Sequence, residues 1–242
     1  MHISVIASAR DVNCEIIEEK NVVIIDVLRA TSVIVTALAN KAEYIIPMES
    51  IEKAQAYFRD NESKHLVLCG ERDTKIIEGF HFGNSPLSYT KENISGKVII
   101  QTTSNGTRTI KACDKGLRIY IASFLNVEAI VNQLLYDKTD TVIVCSGTNN
   151  QYSMDDALCA GMIISLLEQK AKISMTDLSW GMKEVYEKYS SCLYSFLSKA
   201  CSHFKVLQQN GFKEDLDYCL QQNIYNVVPV YSQGCIRILE QI

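Results

Sequence analysis

Residues 22–32 read VVIIDVLRATS. Four consecutive apolar residues, all β-branched, predict a short strand covered on both faces, as in parallel sheets. Asp26 falls where that strand ends, and Thr31 and Ser32 stand where a helix running to Asn40 needs its N-terminal cap. Residues 97–108, KVIIQTTSNGTR, repeat the plan of apolar run, polar turn and helix start. The offset, 102 − 26 = 76, holds without a gap through Val22 and Val98, Thr31 and Thr107, Tyr44 and Tyr120, Glu52 and Glu128, and Cys69 and Cys145.

The two segments, about 21–73 and 97–149, each read strand, turn, helix, strand, helix, strand. Ser50 and Asn126 are expected to cap the second helices, the helix from about Thr107 is expected to stop at Gly116, and HLVLCG and TVIVCSG close the repeats as strands. Alternation of this kind predicts an α/β fold of three layers, α/β/α, around a mostly parallel or mixed sheet. After residue 155 the pattern turns mostly helical. MDDALCAGMIISLLEQK, the stretch Thr176–Ala200, and residues 203–209 and 214–222 are expected helices, before VVPVY and CIRIL form a pair of short strands around SQG. No Gly/Ser/Pro linker interrupts residues 1–242, so one compact unit is expected.

Lys and Arg number 24 against 28 Asp and Glu, and no basic run offers a footprint for nucleic acid. Nine cysteines, an odd number without a CxxC pair, are expected to be reduced and mostly buried. MHISVIASAR lacks a signal peptide's basic start, and no apolar run approaches the roughly 20 residues of a membrane span. A soluble cytoplasmic chain is expected. Trp180, Tyr186, Tyr189, Tyr194 and Phe196 fit core packing or, alternatively, a homodimer face.

Ligands of open α/β sheets bind at the carboxyl ends of strands. Five polar segments fall there: Asp26–Ser32, Gly70–Asp73, Gly83–Pro86, Thr102–Arg108 and Ser146–Asn150. Helix N-termini, hydroxyls and amides suit oxyanions, and Arg29, Arg72 and Arg108 add bidentate donors. Three arginines imply a ligand with several negative groups. Walker A, GxGxxG and GxSxG motifs are absent, and the four histidines show no zinc spacing. Mg2+, a hard cation taking carboxylates, waters and phosphate oxygens, has candidate ligands in Asp26, Glu71, Glu78, Asp155 and Asp156. Asp26 ends an apolar run and would be desolvated, which favours pairing or a metal. Plainer readings stand beside these. Thr31 and Ser32 cap helices in any fold, Asn105-Gly106 is a common turn, Arg72 could be a surface ion pair, and Ser153 with Asp155 and Asp156 has the form of a capping box.

DVLRATS, GER, EGFHFGNSPLSY, TTSNGTR, ASFLN and CSGTNNQYSMDDALCAG, in this order, resemble the 2-phosphosulfolactate phosphatase family. The likeness is strong from Ile3 to Gly161 and weaker near VVPV. It implies Mg2+-dependent hydrolysis of 2-phospho-3-sulfolactate to 3-sulfolactate and phosphate, a reaction of coenzyme M biosynthesis. The DxDx[TV] motif of haloacid-dehalogenase phosphatases is missing, because Asp26 is followed by Val27 and Leu28. The expected site has Asp26, Arg29 and Arg72 as catalytic residues. Asp26, with Glu71, Asp155 and Asp156, holds the metal. Thr31, Ser32, Gly70, Asn84, Ser85, Asn105, Gly106, Thr107, Arg108, Gly147, Thr148 and Asn149 bind the substrate. A phosphatase for another small phospho-acid, and a non-catalytic protein binding sulfonated or phosphorylated acids, remain alternatives.

Overall fold

The computed structural model describes residues 1–61 and 65–239. Its eleven strands are β1 (His2–Ile6), β2 (Asn21–Ile25), β3 (Tyr44–Pro47), β4 (Leu66–Arg72), β5 (Lys75–Ile76), β6 (Val98–Thr102), β7 (Arg118–Ala122), β8 (Thr141–Cys145), β9 (Ser174–Met175), β10 (Pro229–Ser232) and β11 (Cys235–Ile238). They form one mixed sheet, ordered β5-β4-β6-β3-β11-β10-β7-β2-β8-β1-β9.

The apolar runs dictate the layering. Side chains alternate across a strand, so a run apolar at every position must be covered twice. In β2, Val23 and Ile25 join one core cluster with the helices Val127–Asp137 and Met154–Lys170, while Val22 and Ile24 join another with the helix Ala30–Ala39. The same division runs through β7 and β8. Each fully buried Val or Ile stabilises by roughly 1.5–3 kcal/mol, which makes these central strands the firmest part of the molecule. A smaller cluster of Ala54, Leu68, Ile77, Phe80 and Ile100 covers β4 and β6 beneath the helix Ile51–Asp60. The result is a three-layer α/β fold.

Strands of the two similar segments exchange places. β2 lies between β7 and β8, with Val22 opposite Ile119 and Val142. β6 lies between β3 and β4, with Val98 opposite Tyr44 and Leu66. Each segment's first strand is thus held by the other segment's two later strands. Between the halves sits the β10–β11 hairpin, antiparallel to β7 on one side and to β3 on the other. The two parallel blocks consequently run in opposite senses. Sheet twist of about 20–25° per step accumulates over the five steps from β6 to β2, and the carboxyl ends of these strands converge.

Several local expectations are corrected. The helix after β2 begins at Ala30 with Arg29 as its cap, and neither Thr31 nor Ser32 caps it. The Thr31 hydroxyl accepts from Asp26 N at 3.0 Å and Ser32 Oγ donates to Val27 O at 2.8 Å, closing the turn backwards. The helix Gly106–Ala112 ends four residues before Gly116, whose lack of a side chain lets the chain press on Val22, 2.6 Å from where a Cβ would stand. Ser50 caps as expected, accepting from Lys53 N. Asn126 does not cap the helix behind it: its side chain accepts from Ser123 N and donates to Ile121 O and Val227 O. Thr176–Ala200 is two helices, Asp177–Tyr189 and Leu193–Ala200, parted by a 3-10 turn. All nine cysteines are free thiols and seven are buried.

Candidate active site

A cavity of about 400 Å3 opens where β2, β4, β6 and β8 end. Asp26, Glu71, Asp73, Asn84, Asn105, Thr148 and Asn149 line it together with Thr74, Thr103 and Ser104. The opposite wall comes from the helix Ser202–Gln209, through Ser202, His203, Val206 and Leu207.

The turn after β2 holds Asp26 rigidly. Thr31 N donates to Asp26 O at 2.9 Å, and Ala30 N donates to the carboxylate at 3.3 Å. Gly106 fits against this carboxylate because it has no side chain; a Cβ there would stand 2.9 Å from Asp26 Oδ2. Burial, reinforced by the charges of Asp155 and Glu71, pushes the Asp26 carboxyl up to about 7, against the opposing pull of the Ala30 and Gly106 N–H groups. Glu71 is fixed by two backbone amides, from Ser104 at 2.9 Å and Thr74 at 3.0 Å.

Asp155 and Asp156 open the helix Met154–Lys170 directly behind Asp26. Asp156 accepts from Val27 N and Gly147 N, each at 2.9 Å, and so ties the β2 and β8 turns together. Burial, then the Asp155 and Asp26 charges, raises its carboxyl well above the ordinary range. Asp155 accepts from Ser153 Oγ and Cys201 Sγ. Ser153 therefore gives its hydroxyl to a carboxylate, and the capping box expected there is not formed. Neither aspartate lines the cavity. No three His, Cys, Asp or Glu side chains among the described residues form a ready-made metal shell.

The three arginines part company. Arg29 is buried on the cavity's edge, ion-paired with Asp215, bonded to Thr74 O at 3.2 Å and stacked 4.0 Å from the Phe212 ring centre. Arg72 is no surface ion pair: it grips Glu71 O at 2.7 Å and Thr102 Oγ1 at 3.0 Å, away from the cavity lining. Arg108 is exposed and reaches Asn150 Oδ1 at 3.4 Å. Arg29 and His203 are thus the basic side chains among the described residues lining a cavity that also holds three carboxylates.

The remaining expected residues divide similarly. Thr31, Ser32 and Thr107 face inward with their hydroxyls used by their own turns. Gly70 admits close strand approach, since a Cβ would fall 2.1 Å from Thr102 O; Gly147, at φ +69°, does the same beside Gln151 O. Ser85 donates to Asp215 at 2.7 Å behind the wall. Asn84 is different. Its buried Oδ1 has no hydrogen-bond partner and it lines the cavity.

Sequence reasoning missed His203 and Asp215, on the helices Ser202–Gln209 and Lys213–Cys219, and Phe212, which precedes the second of them; their pattern is unremarkable. The one available signal was the pair Arg29 and Asp26, since a desolvated arginine requires a carboxylate somewhere in the chain.

Comparison with known proteins supplies the decisive observation. A sequence model of the family described as 2-phosphosulpholactate phosphatase matches residues 7–234. The chain belongs to the 2-phosphosulfolactate phosphatase family. It is 40% identical to a probable 2-phosphosulfolactate phosphatase of Clostridium novyi over 96% of this chain and 97% of that one. It is also 40% identical to one from Clostridium perfringens, over 99% and 97%, and 39% identical to one from Clostridium tetani, over 98% and 100%. Membership in this phosphatase family makes the chain an enzyme of the phosphoric monoester hydrolase class. No helix among the described residues is long and apolar enough to cross a membrane.

Proposed function

We propose that this cavity hydrolyses 2-phospho-3-sulfolactate to 3-sulfolactate and phosphate with Mg2+, the reaction type used in coenzyme M biosynthesis. One observation carries the reading. Asp26 and Glu71, at the ends of β2 and β4, share a cavity with a third carboxylate, Asp73, and with the hydroxyls and amides of Thr103, Ser104, Asn84, Asn105, Thr148 and Asn149. A substrate with phosphate, carboxylate and sulfonate groups would be repelled by these carboxylates unless a cation lay between them.

The donor set fits Mg2+. Asp26 is pushed up to about 7 by burial and by the neighbouring Asp155 and Glu71 charges, a strain that a divalent ion relieves. Asp26 and Glu71 would hold the ion, and the unpartnered Asn84 Oδ1 is a neutral oxygen donor in the same cavity. Asp155 and Asp156 would act from behind, through charge and through the two turns that Asp156 ties. When bound, the ion supplies charge neutralisation at the phosphate oxygens.

The chain's own residues supply the rest. Thr103, Ser104, Asn105, Thr148 and Asn149 offer donors to the oxyanions at two helix-leading turns. Arg29, ion-paired with Asp215, braces the cavity's edge. Val206 and Leu207, with Leu28, form an apolar side that excludes water from the reacting bond.

Phosphate release from phosphosulfolactate, phospholactate and phosphoglycerate, each with and without Mg2+, tests the reading. Release from phosphosulfolactate only with Mg2+ is expected. Preference for another phospho-acid would reassign the substrate, and tight product binding without any release would make the chain a binding protein.

A further inference from the structure

His203 is the one histidine among the described residues that lines the cavity. Its Nε2 lies 2.8 Å from Leu28 O, on the turn that carries Asp26 and Arg29. A carbonyl oxygen can only accept, so Nε2 carries the hydrogen in either charge state of the ring. That leaves Nδ1 as the nitrogen able to exchange a proton with a ligand. Of the cavity's other ionisable groups, Asp73 is an exposed carboxylate on the turn after β4, and the rest are committed. Asp26 and Glu71 receive backbone N–H groups, and Arg29 is spent on Asp215.

Hydrolysis of an alkyl phosphate has a poor leaving group, an alcohol oxygen that needs a proton as the bond to phosphorus breaks. We infer that His203 is that general acid, delivering the proton from Nδ1 to the bridging oxygen of the substrate; the inference rests on the phosphatase reading above. In the step, the water oxygen bonds to phosphorus. The phosphorus–bridging oxygen bond breaks with its electron pair on that oxygen, and the Nδ1 proton completes the alcohol. The proton lost by the attacking water passes to solvent, from which the ring is recharged. Each turnover consumes one water and leaves the imidazole as it began.

Two amides separate this role from simple support. A glutamine at 203 places its NH2 near the position of Nε2 and keeps the bond to Leu28 O, whereas asparagine reaches only the Nδ1 position and loses it. Neither is an acid. Phosphosulfolactate turnover with Mg2+ saturating should therefore fall about 10²–10⁴-fold in kcat in both His203→Gln and His203→Asn, with KM within a few-fold of wild type. 3-Sulfolactate binding, read by calorimetry, should persist in both and show that the cavity is intact. Near-native kcat in His203→Gln would overturn the inference, because bonding to Leu28 would then suffice. So would an effect confined to KM. A wild-type chain that turns over other phospho-acids instead reassigns the substrate, and the same variants decide the histidine's role on those. A wild-type chain inert toward all of them removes the reaction and this role with it.

Discussion

Gly106, opening the helix after β6, stands so close to the turn after β2 that a Cβ on it would lie 2.9 Å from Asp26 Oδ2 and 2.6 Å from the Ala30 Cβ. The two strands belong to different halves of the sheet, so this is the point at which the halves meet on the candidate metal ligand.

Gly106→Ala is expected to force that contact open. Overpacking costs of about 1–3 kcal/mol apply, and the displaced carboxylate should bind Mg2+ more weakly. Gly181→Ala is the matched control, since no atom lies within 4 Å of its would-be Cβ and it sits inside the helix Asp177–Tyr189. That change should leave activity alone and stabilise by roughly 0.5–1 kcal/mol. Denaturant melts and magnesium titrations of both variants check the pair; equal behaviour would discredit the contact.

Asp26 sets a pH signature. Its folded pKa, about 7, lies above the ordinary 3.8, so between those values the folded chain keeps a proton that the unfolded chain has released. The contribution of this group to stability is full below about pH 4, declines as pH rises through that interval, and is lowest above 7. The penalty is on the order of 4 kcal/mol, from about three pH units at 1.36 kcal/mol each. Magnesium should remove it. Asp26→Asn should melt higher than wild type at pH 8 in chelator and release no phosphate. Melting curves between pH 4 and 8, with and without Mg2+, decide this; a flat profile in chelator contradicts it.

The Arg29–Asp215 pair is buried on both sides. Asp215→Ala strands a desolvated guanidinium and should cost about 3–5 kcal/mol, with Ser85 Oγ also losing its acceptor. Replacing both partners, as Arg29→Met with Asp215→Leu, should recover most of that stability while activity stays lost. Such a double-mutant cycle separates holding the wall in place from charging the cavity.

Asp156 binds two amides with two oxygens. Asparagine keeps one acceptor and turns an NH2 toward the other N–H. Asp156→Asn is therefore expected to loosen the Gly147–Asn149 turn, raising KM for the phospho-acid several-fold more than it lowers kcat. Steady-state kinetics at saturating Mg2+ provide the check.

Much of the sheet was readable because burial on both faces leaves a continuous apolar run, as in VVII and KVII. Carboxylates at strand ends were readable for the same reason: Asp26 breaks such a run. β1 was not recognised, since its His2–Ile6 pattern mixes half-buried and buried positions. The site's far wall was equally silent. His203 and Asp215 lie on short helices whose spacing reveals an apolar face but not what that face meets. Arg72 and Arg108 misled because a strand-end position fixes where a backbone goes and leaves a long side chain free to turn away.

The crosswise exchange of β2 and β6 has a consequence for synthesis. Each half-sheet borrows its middle strand from the other segment, and the hairpin that seals β3 to β7 is made only when the ribosome has passed Ile238. Until then the nascent chain carries two open strand edges facing one another across a gap, the kind of surface that recruits other chains. Completion of the sheet thus waits for this hairpin: truncation before Pro229 should yield aggregates rather than a smaller working enzyme.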